Sequence, residues 1–212
     1  GAFSVGQIML VRGIFATLLI ALLAWHQGAL RRPALVLNPL VAARAVCELG
    51  ATMLFLFALA NMPFSNVSAI LQSLPLAVTA GAALFFQETV RWRRWVAIAI
   101  GFTGVMVIVR PGAEGFNTYS IAVLVSVCFA AARDLITRQL PHEIPSLLVS
   151  TTTALGVTLA GAVLLVPLGG WSPMKAADIG FLAVAAVLLL VGYQFIIVAM
   201  RSGEIAFVAP FR

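Results

Sequence analysis

The stretch FSNVSAILQSLPLAVTAGAALFFQETVRWRRW, Phe64–Trp95, decides the fold class. From Phe64 to Phe86 it runs 23 residues without a charge. At about 1.5 Å per residue, a helix of that length crosses a hydrocarbon core about 30 Å thick. Pro75 sits in the middle of the run. A proline there removes one backbone donor and frees the carbonyl of Leu71, so protein or a wet cavity is expected to satisfy that carbonyl. Ser68, Gln72, Pro75 and Thr79, spaced by four, three and four, share one helical face beside Ser73. A polar stripe at the bilayer midplane predicts a lined cavity. The run ends in Glu88, Arg91, Arg93 and Arg94, which mark an aqueous boundary.

Composition extends this reading to the whole chain. Hydrophobic residues make up 62% and charged residues 9% of the 212, whereas a soluble domain carries roughly 25% charged residues. The chain reads as an all-α polytopic membrane protein whose first partner is the lipid bilayer. The net charge of +6 is therefore a matter of topology, and no nucleic-acid partner is expected. Cys47 and Cys128 lie in apolar runs, without metal-ligand spacing, and read as small buried apolar residues. No phosphate loop, nucleophile elbow, paired-carboxylate site or metal-ligand set is present, so no catalytic residue, metal or cofactor is expected.

Outward from Phe64–Phe86, the other apolar runs are Ile8–Trp25, Leu40–Ala60, Trp95–Val109, Tyr119–Thr137, Ser146–Leu168 and Asp178–Met200. An eighth begins near Ile205. Trp95–Val109 is only 15 residues and spans only if Trp92 and the flanking arginines sit at the interface. Alternating crossings place Arg31, Arg32, Arg91, Arg93, Arg94, Arg138 and Arg201 on one side, against Arg110 and Lys175 on the other. The first side is the cytoplasmic one by the positive-inside rule.

The chain also repeats. Aligning Ala58-Leu59 with Ala199-Met200 gives an offset of 141 residues (200 − 59). It places Thr17 on Thr158, Leu18 on Leu159 and Val67 on Val208. The unit is five spans, an odd number, so the second copy enters the membrane inverted. Inverted repeats recur in secondary transporters, whose sites lie at the midplane between repeats. Residues 8–70 are accordingly expected to superpose on 149–211 about an axis in the membrane plane.

The segment LFALANMPFSNVSAILQSLPLAVTAGAALFFQETVRWRRWVAIAIGFTGVMVIVRPG, Leu56–Gly112, resembles the EamA-type proteins of the drug/metabolite transporter superfamily. The shared features are the Pro63 turn, the Pro75 helix, the loop glutamate Glu88, and a glycine-bearing helix closing at Arg110-Pro111-Gly112. AMRSGEIAFVAPFR, Ala199–Arg212, resembles the same family's ninth-helix entrance. The resemblance implies ten helices as two inverted five-helix repeats, in a bacterial inner membrane. Residues 1–112 would supply helices two to five, and residues 116–212 helices six to eight with the start of the ninth. The chain is thus expected to be a fragment without the first helix and most of the last two. The resemblance further implies a permease or exporter of amino acids, nucleoside-like metabolites or vitamins. One departure is that Pro75 and Pro210 are not equivalent at the offset.

The expected substrate site comprises Gln72, Ser73, Pro75, Tyr193, Gln194, Glu48 and Arg212. Glu48 lies about 12 Å into its run, and an ionisable group at that depth marks function or a structural pair. Arg44, one turn earlier on the same face, is the structural partner it would take. Arg212 in the cavity would favour a substrate bearing a carboxylate or phosphate. Asp134 and Arg138, four apart, read as a structural pair. Gly101, Gly104, Ala80 and Gly81 read as close-packing surfaces. The functional reading is alternating-access transport of a small-molecule substrate, with protons as a candidate coupling ion. An intramembrane lipid-modifying enzyme and a lipid flippase are the alternatives.

Overall fold

The computed structural model describes residues 3–31, 33–87, 91–109, 118–167 and 169–202. Glu88, Arg110, Pro111, Gly112, Pro210 and Arg212 lie outside the described residues, as does the apolar run from Ile205. Among the described residues there are eight α-helices, two short 3-10 turns and no strand: α1 (Val5–His26), α2 (Pro39–Asn61), α3 (Phe64–Leu71), α4 (Leu74–Phe85), α5 (Trp92–Val109), α6 (Thr118–Gln139), α7 (Ser146–Leu165) and α8 (Ala176–Ser202). Six stretches are long and apolar enough to cross a membrane, with α3 and α4 counted as one. The protein is an all-α polytopic membrane protein. Of the six, α8 is the most apolar and the least buried, as befits a surface solvated by lipid.

Local chemistry explains where the helices stop and start. Ser4 caps α1, its Oγ accepting from the Gln7 amide at 3.2 Å. Gly28, at φ 68°, takes the left-handed conformation just past its end. The run expected to reach Leu168 stops as a helix at Leu165. Pro167 and the positive-φ glycines Gly169 and Gly170 cannot extend it. The chain expected from Trp95 instead starts its helix at Trp92, where Arg93 lies 5.9 Å over the exposed Trp92 ring. Three more residues bring α5 to 18.

Residues 1–49 and 139–198 form one compact unit, and residues 50–138 with 199–212 another. The first holds α1, the start of α2, α7 and nearly all of α8. Its seam is α1 against α7. The Gly6 position faces the Leu164 and Leu165 backbone at 2.9 Å, and the Gly13 position faces Thr158. The Gly161 position faces the Leu10 nitrogen at 2.6 Å. Contacts advancing along α1 while retreating along α7 make the two helices antiparallel. Thr17 and Thr158 share a hydroxyl hydrogen bond of 3.0 Å in this seam.

The second unit packs Ala58 of α2, Val67 and Ile70 of α3, Val105 of α5, and Ala122 and Val123 of α6. The helix expected across Pro75 breaks into α3 and α4 at Gln72 and Ser73. Pro75 sits in the first turn of α4, and Ser73 donates its amide (3.0 Å) and hydroxyl (2.7 Å) to Ile70 O in a tightened turn. The stripe across this run is therefore divided: Gln72 is exposed, Pro75 half-buried and Thr79 buried. Gly81 and Gly101 do serve as close-packing surfaces, against Leu135 and Leu76. Gly104 does not, because nothing lies within 4 Å of its Cβ position. Cys128 is exposed and Cys47 half-buried, correcting the expectation that both are buried. In a membrane protein an apolar side chain is as much at home on the lipid side as inside.

Candidate functional site: a polar cluster on three helices

Within the first unit, three cross-helix hydrogen bonds gather polar side chains that no apolar membrane helix needs. Arg44 of α2 donates through Nη1 to Thr153 Oγ1 of α7 at 2.5 Å. Tyr193 of α8 donates its hydroxyl to Glu48 Oε1 of α2. Gln194 of α8 donates through Nε2 to Ser150 Oγ of α7 at 3.0 Å. Arg44 and Glu48 are only 2% and 3% exposed, and Ser150 and Thr153 are also buried. Tyr193 and Gln194 are half-buried.

The spacing explains the clustering. Arg44 and Glu48 are one turn apart, so they rise from one face of α2. Ser150 and Thr153, three apart on α7, likewise share a face. Tyr193 and Gln194 are neighbours on α8, pointing about 100° apart, so one reaches α2 and the other α7. Thr153 also donates to Val149 O at 2.8 Å, which leaves its oxygen lone pairs to accept from Arg44. The cluster offers a carboxylate, a guanidinium, a phenol, an amide and two hydroxyls in a low-dielectric setting, where each interaction is stronger than in water. Among the described residues, no three of His, Cys, Asp and Glu gather closely enough to hold a metal ion.

The expected site residues divide accordingly. Glu48, Tyr193 and Gln194 lie together in the first unit. Gln72, Ser73 and Pro75 belong to the second, where Ser73 is turned back onto Ile70 O. Arg212 lies outside the described residues. Arg44, Ser150 and Thr153 were missing from the expected site. Three more contacts were not foreseen. Asp134 takes its sequence neighbour Arg133, with Nε 2.9 Å from Oδ1, both side chains buried. Helical-face reasoning misses a pairing between adjacent residues. Arg138 donates to Met200 O at 3.4 Å. The buried Gln7 grips the α7–α8 connection, donating to Ser172 O at 2.7 Å and accepting from Ser172 N at 3.1 Å.

The profile of the EamA-like transporter family matches residues 1–110, just over half of the chain. The chain belongs to the EamA-like transporter family. It is similar to the riboflavin transporter of Vibrio cholerae, 32% identical over 74% of this chain and 53% of that protein. It is similar to the S-adenosylmethionine uptake transporter of Rickettsia bellii, 29% identical over 39% of this chain and 28% of that protein. With the pseudopaline exporter CntI of Pseudomonas aeruginosa it shares 26% identity over 97% of this chain and 72% of that protein. The chain thus spans about half the length of the riboflavin transporters it matches. No solved structure matches it. The Arg44–Thr153, Tyr193–Glu48 and Gln194–Ser150 contacts gather four buried polar side chains, Arg44, Glu48, Ser150 and Thr153, on α2 and α7.

Proposed function

We propose that this chain is part of a secondary transporter that carries a small polar metabolite across the bacterial inner membrane by alternating access. The observation that carries the reading is the polar cluster of Arg44, Glu48, Ser150, Thr153, Tyr193 and Gln194, buried among membrane-length helices. Buried ionisable groups on such helices are costly, and they line substrate and ion paths where they occur. Residues 1–112 and 116–212 are the two repeats, inverted with respect to each other. The antiparallel α1–α7 seam, with Thr17 meeting its repeat partner Thr158, supports that arrangement. Relatives named for uptake and for export leave both directions open to the fold, and the cluster rather than the direction defines the substrate contacts.

The test uses full-length protein in proteoliposomes, with labelled riboflavin and labelled S-adenosylmethionine as the first probes. Saturable uptake of either, competed by the unlabelled compound and lowered at least tenfold by Thr153→Val combined with Gln194→Leu, is the expected result. Turnover of a lipid substrate with no solute flux, or full flux in that variant, overturns the reading.

A further inference from the structure

We infer that Glu48 and Tyr193 form the proton-coupling element of this transporter, a latch between α2 and α8 that holds while the carboxylate is charged and releases when it takes up a proton. The inference rests on the transport reading above and adds the coupling step to it. A carboxylate 3% exposed, on a helix long and apolar enough to cross the bilayer, holds its charge only with donors aimed at it. Tyr193 supplies such a donor from a different helix. A hydrogen bond from a neutral phenol to a charged carboxylate is roughly twice as strong as one between neutral partners. Protonation therefore weakens the link between α2 and α8 at the moment the charge disappears.

The step balances simply. The Glu48 carboxylate gains one proton from the aqueous face to which the site is open, and Tyr193 keeps its own. When the site opens to the other face, the carboxyl returns that proton to water and regains the phenol. The titratable neighbours on the packed elements are few. Arg44 stands one turn away on α2, and Tyr193 faces Glu48 from α8. The α7 sequence contains no ionisable residue, so Ser150 and Thr153 offer only hydroxyls. Arg12 and the terminal His26 are the ionisable residues of α1, and Asp178 and Arg201 stand at the two ends of α8. Arg44, held by Thr153, is a fixed cation beside the Glu48 carboxylate.

The experiment follows the latch directly, without a substrate. Spin labels at Val46 and Val191, both exposed and on α2 and α8, are placed in full-length protein carrying Cys47→Ala and Cys128→Ala. Their distance distribution is measured in nanodiscs from acidic to alkaline pH. Two populations that exchange with pH are expected, with the response lost in Glu48→Gln and kept in the shorter acid Glu48→Asp. A pH-independent distribution overturns the inference, as does a Glu48→Gln variant that still responds. A second arm imposes a proton gradient on proteoliposomes with labelled riboflavin or S-adenosylmethionine as probe. Several-fold stimulation of the initial rate is expected, kept by Glu48→Asp and lost in Glu48→Gln. Flux without stimulation refutes the coupling and leaves transport standing. Absence of flux counts against the transport reading for these solutes, while the distance measurement still decides the latch.

Discussion

The α1–α7 seam makes a graded demand that alanine can read. A Cβ added at Gly161 would lie 2.6 Å from the Leu10 nitrogen and 2.9 Å from the Met9 carbonyl carbon. At Gly6 it would meet the carbonyl group of Leu164 and the Leu165 Cα at 2.9 Å. These are backbone atoms, which cannot swing aside, so the helices must separate. At Gly13 the obstacle is the movable Thr158 hydroxyl, although the Thr158 Cα is also near at 3.0 Å. Gly104 and Gly156 have nothing within 4 Å. Overpacking a filled site costs about 1–3 kcal/mol. Alanine regains up to about 1 kcal/mol of helix propensity over glycine. Gly161→Ala and Gly6→Ala should therefore lose about 1–2 kcal/mol net, Gly13→Ala less, while Gly104→Ala and Gly156→Ala should be neutral or slightly stabilising. One separation of the helices relieves both clashes, so Gly6→Ala with Gly161→Ala should cost less than the sum of the singles. Steric-trapping stability measurements in bicelles would resolve these differences. Equal stability across all five single variants, or strict additivity of the double, would refute a seam set by backbone approach.

Other contacts give sharper single tests. Gln7→Ala removes both hydrogen bonds to the Ser172 backbone and should cost about 2–4 kcal/mol, read as a fall in thermal stability with faster proteolysis at the α7–α8 connection. A double-mutant cycle of Thr17→Val and Thr158→Val should return a coupling of about 0.6 kcal/mol, the usual size for a hydrogen bond between membrane helices. Thr153→Val takes the acceptor from Arg44 and should lose about 1.5–3 kcal/mol by the same measurement, with Thr153→Ser largely restoring it.

How much was legible in the sequence depends on which face of a helix is asked about. Membrane-length apolar runs locate α1, α2, α6, α7 and α8 to within a few residues, because lipid demands length and apolarity alone. Pro75 is visible as a disruption, but the break at Gln72–Ser73 depends on where the freed backbone finds new partners. Lateral contacts are harder, since leucine serves equally toward lipid and toward protein, so apolar periodicity no longer marks the core. That is why Cys128 and Gly104 read as packed and are not. Polar residues on spans stand out against this background, which is how Glu48, Tyr193 and Gln194 became candidates. Ser150 and Thr153 were missed because hydroxyls commonly bond their own helix, as Thr151 and Thr152 do here at 2.7 and 2.9 Å.

Under the proposed repeat, the polar cluster has an internal control. The offset of 141 brings Thr17 onto Thr158, and these equivalent hydroxyls meet at 3.0 Å. Two equivalent groups touch in this way where a two-fold axis passes between them. The same offset sends Arg44 to Ala185, Glu48 to Leu189, and Ser150 and Thr153 back to Met9 and Arg12. On that reading the seam between α1 and α7 belongs to both copies, while the charged pair of α2 exists in one. On that alignment the matching positions of α8 are alanine and leucine, which carry no charge. Replacing buried charges together by apolar residues is often neutral, whereas removing one partner costs about 3–5 kcal/mol. The variant Arg44→Ala/Glu48→Leu/Tyr193→Phe should therefore keep its stability within about 1 kcal/mol while losing flux and the pH response. Glu48→Leu alone should be the less stable protein, because it leaves the Arg44 charge buried without its neighbour one turn away. A triple variant that fails to fold in bicelles would make the cluster a structural brace.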